Sequence, residues 1–152
     1  MKTFETLAEF CEQVGQEIGV SAWETISQAQ INAFADATGD HQWIHIDPDK
    51  AATDSPFKTT IAHGFLTLSL APKLMAEVYE IRSVKMGVNY GANKVRFTSP
   101  VPAGSRVRMR MTLLSTEPQA PNGIRATAAC VFELEAHEKP ACVAELVTLL
   151  FE

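Results

Sequence analysis

Apolar positions recur at helical spacing near the start of the chain. Phe4, Leu7, Phe10 or Cys11, and Val14 share one face, and Thr6 with Glu9 has the form of a capping box. The pattern predicts a first helix ending near Gly15, then an extended arm or strand over Glu17–Ser27 that Gly19 interrupts. Ser27 with Gln30 opens a second helix with Ile31, Phe34, Ala35 and Thr38 on one face, and Gly39 stands where a helix turns left-handed. From Asp40 to Thr60 the pattern lapses, with Asp47-Pro48 starting about one helical turn through Ala52. Such a stretch inside a compact domain is more often functional than incidental. Gly64 to Tyr79 reads as the central helix. Leu66, Leu68, Leu70, Leu74, Met75 and Val78 fall around more than one face, so the helix is expected to be buried on most sides, with Pro72 bending or restarting it.

After Glu80 the period changes to two. Val84, Met86, Val88 and Tyr90 alternate, and Asn93, Val95 and Phe97 form a short strand. Val107, Met109, Met111 and Leu113 alternate against Arg106, Arg108, Arg110 and Thr112, the cleanest half-buried strand in the chain. Pro118 to Gly123 makes a turn, Ile124 to Leu134 places every second residue on an apolar face, and Ala141 to Phe151 is a last long strand. Long strands joined by short turns predict an antiparallel sheet. The element order predicts an α+β fold over residues 1–152 as a single domain, the sheet curled around one central helix. A sheet left with an uncovered edge is completed by a second copy, so a homodimer is expected.

Composition narrows the function classes. A formal charge of −5 argues against a nucleic-acid footprint. Cys11, Cys130 and Cys142 have no paired spacing and, without a secretory leader, point to a reducing cytoplasm. Cys130 and Cys142 fall in apolar strand patterns and read as buried, inert thiols. No segment holds the roughly 20 apolar residues a bilayer crossing needs, so no membrane partner is expected. There is no GxGxxG or Walker-type loop and no serine elbow, so neither a nucleotide cofactor nor a serine hydrolase is expected.

The polar chemistry concentrates in Ala37-Thr38-Gly39-Asp40-His41-Gln42-Trp43-Ile44-His45-Ile46-Asp47 and in Ile61-Ala62-His63-Gly64. Asp40 and His45 stand five residues apart after a helix-stopping glycine, where an irregular turn aims both at one water. Such a pair suits moving a proton from water and returning one to carbon. The plainer alternative has Asp40 capping a turn and His45 as a satisfied loop histidine. His41 and His137 read as surface histidines, and Asp47 as an N-cap. Trp43 is a packing lid or a ligand-stacking group. The Gly64 amide, with no side chain in the way, is the candidate donor to a developing negative oxygen, and His63 either orients this loop or fills packing space. His41, His45, Asp47 and His63 raise the question of a metal, but no CxxC or HExxH spacing occurs and a carboxylate–histidine dyad accounts for them; none is expected.

The run Phe34 to Asp47, with Ile61-Ala62-His63-Gly64-Phe65 downstream, resembles the hydratase signature of the MaoC-like dehydratases, the (R)-specific enoyl-CoA hydratases. Trp43 and Val88-Asn89-Tyr90-Gly91-Ala92-Asn93-Lys94-Val95-Arg96-Phe97 resemble the nodulation protein N-like branch. The likeness runs from about Glu17 to Phe151. Gln42-Trp43 stands where the wider family often has Asn-Pro, a departure that bears on substrate scope while Asp40 and His45 keep their separation.

The resemblance implies a hot-dog fold working as a homodimer. It also implies syn hydration of trans-2-enoyl thioesters to (R)-3-hydroxyacyl thioesters, and the reverse. Asp40 and His45 would activate the water and the Gly64 amide would polarise the thioester carbonyl. Trp43, Phe65 and Leu66 are candidates for an acyl tunnel, and Lys94, Arg96 and Arg106 for the phosphates of coenzyme A, whose place a carrier-protein thioester could take. No cofactor is implied, since coenzyme A is part of the substrate. A hot-dog thioesterase would need a group aimed at the carbonyl carbon. A non-catalytic acyl-thioester binding dimer would be indifferent to Asp40→Asn.

Overall fold

The computed structural model describes residues 1–152. Its elements are β1 (Lys2–Phe4), α1 (Leu7–Cys11), β2 (Glu17–Val20), β3 (Glu24–Thr25), α2 (Gln28–Thr38), α3 (Trp43–Ile46), α4 (Pro48–Asp54), α5 (Gly64–Ser69), α6 (Ala71–Val78), β4 (Tyr79–Ile81), β5 (Met86–Phe97), β6 (Arg106–Gln119), β7 (Gly123–Leu134) and β8 (Cys142–Phe151). The main sheet is antiparallel with strand order β2-β6-β7-β8-β5, and β3 also pairs β6. A small parallel pair joins β1 to β4.

The alternating residues of the sheet build the core. Val107, Met109, Met111 and Leu113 on β6 face Cys130, Phe132 and Leu134 on β7, and all are buried. Leu66, Leu70, Leu74, Met75 and Val78 from α5 and α6 join the same apolar cluster. Burying each large side chain there contributes about 1.5–3 kcal/mol relative to leaving it in water. The result is the expected α+β hot-dog arrangement of a sheet packed on a central helical segment.

Several local expectations change. The central helix is two consecutive helices meeting at Leu70, because Pro72 at the first turn of α6 has no amide to donate and restarts the helix. Its burial is one-sided, since Phe65, Ser69, Pro72 and Lys73 are exposed. Phe4 leaves the predicted first helix and enters the core from β1, paired with Ile81, while Thr6 still caps α1 by accepting from Glu9 N at 3.3 Å. The stretch after Gly39, read as irregular, contains α3 and then α4, with Asp47 capping Lys50 N at 2.9 Å. Asn93 to Phe97 is not a separate short strand. It continues β5, with register shifts between Asn89 and Gly91 and between Ala92 and Lys94. No helix is long and apolar enough to cross a membrane.

Candidate active site

Ser27 accepts from Gln30 N and starts α2, and Gly39, at φ 79°, ends it in the left-handed region that only glycine enters freely. The chain therefore leaves α2 sharply and Asp40 projects at its end. One turn later α3 carries His45, buried to 7% exposure, while Asp40 stays solvated at its outer side. Ligand atoms of Asp40, His45 and His63 all lie within 4.8 Å of one another. Two hydrogen bonds of about 2.8 Å hinged at a single water span about 4.6 Å, a length inside that limit.

Backbone carbonyls fix which ring nitrogen carries the proton in each neutral imidazole. His45 Nδ1 lies 2.7 Å from Ile61 O, and a carbonyl only accepts, so Nδ1 carries the proton. In the neutral ring Nε2 is then a bare acceptor. His63 Nε2 donates to Asp40 O at 2.9 Å and lies 3.9 Å from Asp40 Oδ2. His63 Nδ1 is buried without a partner. The two rings stack with centroids 3.8 Å apart, and Phe34 closes against His63 at 5.0 Å.

A residue that carried no sequence signal, Gln28, ties the loop down. Its Nε2 donates to His45 O at 2.7 Å and its Oε1 accepts from Thr60. The Ile61 carbonyl that orients His45 is itself held in place, because Ile61 N donates to Ile44 O at 3.0 Å and Ala62 N to Val101 O at 2.8 Å.

His45 and Gly64 line a common cavity of about 200 Å³, with Thr67, Phe97, Ser99 and Ala141 among its other walls. Gly64 is the first residue of α5, so the helix leaves its amide unpaired. A Cβ at Gly64 would stand 2.7 Å from the ring of Phe97, so only glycine permits this approach. His45 and the N-terminal residue of α5 thus border one small, partly apolar space, and Asp40 and His63 are not among its lining residues.

The other sequence candidates are distributed unevenly. Phe65 is exposed and packs edge-on against Phe97 at 5.5 Å. Leu66 is in the core rather than along the cavity. Trp43 is half-buried with Lys50 Nζ 4.9 Å over its ring. Lys94 and Arg96 alternate with Phe97 on β5 and so point to the face of the sheet away from the cavity. Lys94 meets Glu145 at 3.5 Å. Arg106, three strands from β5 in the sheet order, pairs in bidentate fashion with Glu135 and is not brought to the site. His41 pairs with Asp36 at 2.9 Å on the surface, and that hydrogen bond raises its pKa.

Asp40, His45 and His63 have the residue types of a metal site, but two of their ring nitrogens already donate to backbone carbonyls. The ring nitrogen of His63 nearest the Asp40 carboxylate is committed as a donor to the Asp40 carbonyl. On the Asp40 side that leaves the carboxylate and one His45 nitrogen, short of the three protein ligands of a catalytic zinc, while the other ring nitrogen of His63, Nδ1, is buried.

A sequence profile described as a MaoC like domain matches residues 9–129. The 3-hydroxyacyl-thioester dehydratase Z of Mycobacterium tuberculosis is 51% identical over 147 residues, 97% of each chain. Nodulation protein N of Rhizobium leguminosarum is 44% identical, over 95% of this chain and 91% of its own. Among solved structures, an R-hydratase from Pseudomonas aeruginosa superposes with TM-score 0.75 at 28% identity, covering 95% of this chain and 84% of that one. An (R)-hydratase from A. caviae involved in PHA biosynthesis superposes with TM-score 0.72 at 26% identity, covering 89% and 94%.

Proposed function

The chain belongs to the MaoC-like dehydratase family, in the branch that includes nodulation protein N, and from that premise we propose that Asp40, His45 and Gly64 hydrate trans-2-enoyl thioesters and dehydrate (R)-3-hydroxyacyl thioesters. It is a hydro-lyase acting on an acyl thioester of the coenzyme A type. The observation that carries the site assignment is that His45 and Gly64 line one cavity, with a ligand atom of His45 within 4.8 Å of the Asp40 carboxylate.

In the hydration direction Asp40 accepts one hydrogen of the water and orients it, while His45 Nε2 takes the other proton. The oxygen adds to the β carbon, the electron pair moves through the conjugated system, and negative charge gathers on the thioester oxygen. The Gly64 amide meets that oxygen, a contact whose loss typically costs about 3–4 kcal/mol. The imidazolium then returns its proton to the α carbon on the face it came from. A single base working from one side gives syn addition, and dehydration is the same path reversed.

The whole of 1–152 is read as one hot-dog unit that pairs with a second copy. The support is the edge strand β5, which pairs β8 on one side only and exposes Met86, Val88, Tyr90 and Phe97. For the thioester handle, Arg96 is the one arginine with no carboxylate partner, since Arg82, Arg106, Arg108, Arg110 and Arg125 are all ion-paired. Arg96 Nη1 donates to Val95 O at 2.7 Å, and its other donors, on the outer face of the edge strand, are left for a phosphate of coenzyme A or of a carrier-protein arm passing around that edge.

The test follows the loss of enoyl absorbance with crotonyl-CoA and longer homologues. Asp40→Asn and His45→Gln are each expected to lower kcat/KM by about 10²–10⁴-fold with unchanged circular dichroism. Wild-type protein that binds these thioesters without turnover, or variants as active as wild type, would overturn the assignment.

A further inference from the structure

Thr67 is 2% exposed, and its Oγ1 is buried with no hydrogen-bond partner. A threonine inside a helix ordinarily answers this by bonding the carbonyl one turn back. The neighbouring Ser69 does so, donating to Phe65 O at 2.6 Å. Thr67 does not, although its own amide reaches His63 O at 3.3 Å and that carbonyl is therefore close by. A buried hydroxyl left unpaired destabilises the fold, and such groups call for a reason.

The cavity supplies the reason. Thr67 lines the same space as His45 and Gly64, and stands three residues after Gly64 on α5. Residues three apart share a helix face, and helical side chains lean toward the N-terminus, so Thr67 leans toward the Gly64 end. Its two staggered χ1 positions exchange hydroxyl and methyl within that wall. Apart from His45 and Ser99, which lies on the loop after β5, the other wall side chains are apolar, among them Phe97, Ala62, Val101 and Ala141. An oxygen bearing developing charge finds no other side-chain donor on α5 there.

We propose that the Thr67 hydroxyl is a second donor to the thioester carbonyl oxygen, acting beside the Gly64 amide. The inference rests on the hydration reading above and deepens it. In the transition state, with charge moving from the conjugated double bond onto oxygen, Gly64 N–H and Thr67 O–H share that oxygen. Neither is consumed, and the proton inventory at His45 is unchanged. Two donors fix the carbonyl in a plane and so fix which face of the double bond meets the water. The cost of keeping an unpaired hydroxyl in the empty protein is returned when the substrate oxygen arrives.

Thr67→Val keeps the shape and removes the hydroxyl, and Thr67→Ser keeps the hydroxyl. The valine variant is expected to lose on the order of 10²-fold in kcat with little change in KM, the pattern of a contact made in the transition state. Its melting temperature should equal or exceed that of wild type, because an unsatisfied buried group has been removed. The serine variant should retain activity within about 5-fold. With bound butyryl-CoA, which has no double bond to hydrate, the thioester carbonyl stretch should sit at lower frequency in wild type than in Thr67→Val. A valine variant with wild-type kcat overturns the inference, and so does equal loss of activity and melting temperature in both variants. Wild-type protein with no hydratase activity overturns the function reading itself, a result separable from an active wild type whose valine variant is equally active.

Discussion

The imidazoles of His45 and His63 lie face to face, ring centroids 3.8 Å apart and 26° from parallel. Each ring hands a proton to a different backbone carbonyl, His45 to Ile61 and His63 to Asp40. One histidine is thereby set as an acceptor in the cavity. The other clamps the backbone of the residue carrying the carboxylate and walls in the first ring.

His63 therefore touches both members of the proposed dyad, and two substitutions separate its contributions. His63→Phe keeps a ring against His45 but has no donor for Asp40 O, and His63→Gln keeps a donor but loses the stack. Each is expected to lower kcat by on the order of 10–10²-fold, the scale of a small misplacement of reacting groups. Steady-state kinetics beside circular dichroism checks it, and wild-type kcat in both variants would show that His63 only fills space.

Gly64 and Phe97, 33 residues apart in the chain, are in contact such that a Cβ at Gly64 would stand 2.7 Å from Phe97 Cγ. That atom is the root of the ring, so the whole side chain must move. Gly64→Ala should lower kcat/KM by about 10²-fold as the amide is displaced. Phe97→Ala in the same background should recover part of the loss, which a double-mutant cycle measures. Equal activity in single and double variants would point to a cause other than this contact.

The free side of β5 predicts the assembly. Wild type should sediment at twice 16.6 kDa. Tyr90, 63% exposed on that strand, becomes a pair of like charges across the interface in Tyr90→Glu, and the variant should sediment as a monomer. A wild-type monomer at working concentration rules the β5 pairing out.

Acid should weaken the outer face of the sheet through Glu133. Burial pushes its carboxyl up, but hydrogen bonds from Arg108 at 2.5 Å and Arg110 at 2.9 Å outweigh this, and its pKa is lowered from 4.5. A folded-state value below the unfolded one gives stability that is complete above pH 4.5 and lost as pH falls through the lower folded value. The groups are partly exposed, so the effect is about 1 kcal/mol or less. In urea titrations Glu133→Gln should be less stable than wild type at neutral pH, and the gap should narrow as pH falls below 4.5. A gap constant with pH would show that the charge is not what matters.

The apolar strand thiols behave as the alternation implies. Burial pushes Cys130 up to about 12 and Cys142 to about 11, so both stay protonated at neutral pH.

Legibility in the sequence followed the range of the interaction. Periodicity of two located β6, β7 and β8 because burial of one sheet face is written into alternate residues. Ser27, Gly39, Thr6 and Asp47 marked helix ends because capping is satisfied within four residues. The nearness of Asp40 and His45 was legible for the same reason, since both sit within one punctuated loop. Phe4 went to a strand against its helical spacing because Ile81, far along the chain, offered a partner.

What needed the tertiary structure was everything set by partners distant in sequence. The His45 tautomer depends on Ile61 O, the fit of Gly64 on Phe97, and the retirement of Arg106 on Glu135. Gln28 became a strut only because Thr60 and the His45 carbonyl folded against it. A side chain's type limits what it can donate or accept. The neighbours that folding brings within about 3 Å decide which of those options it uses.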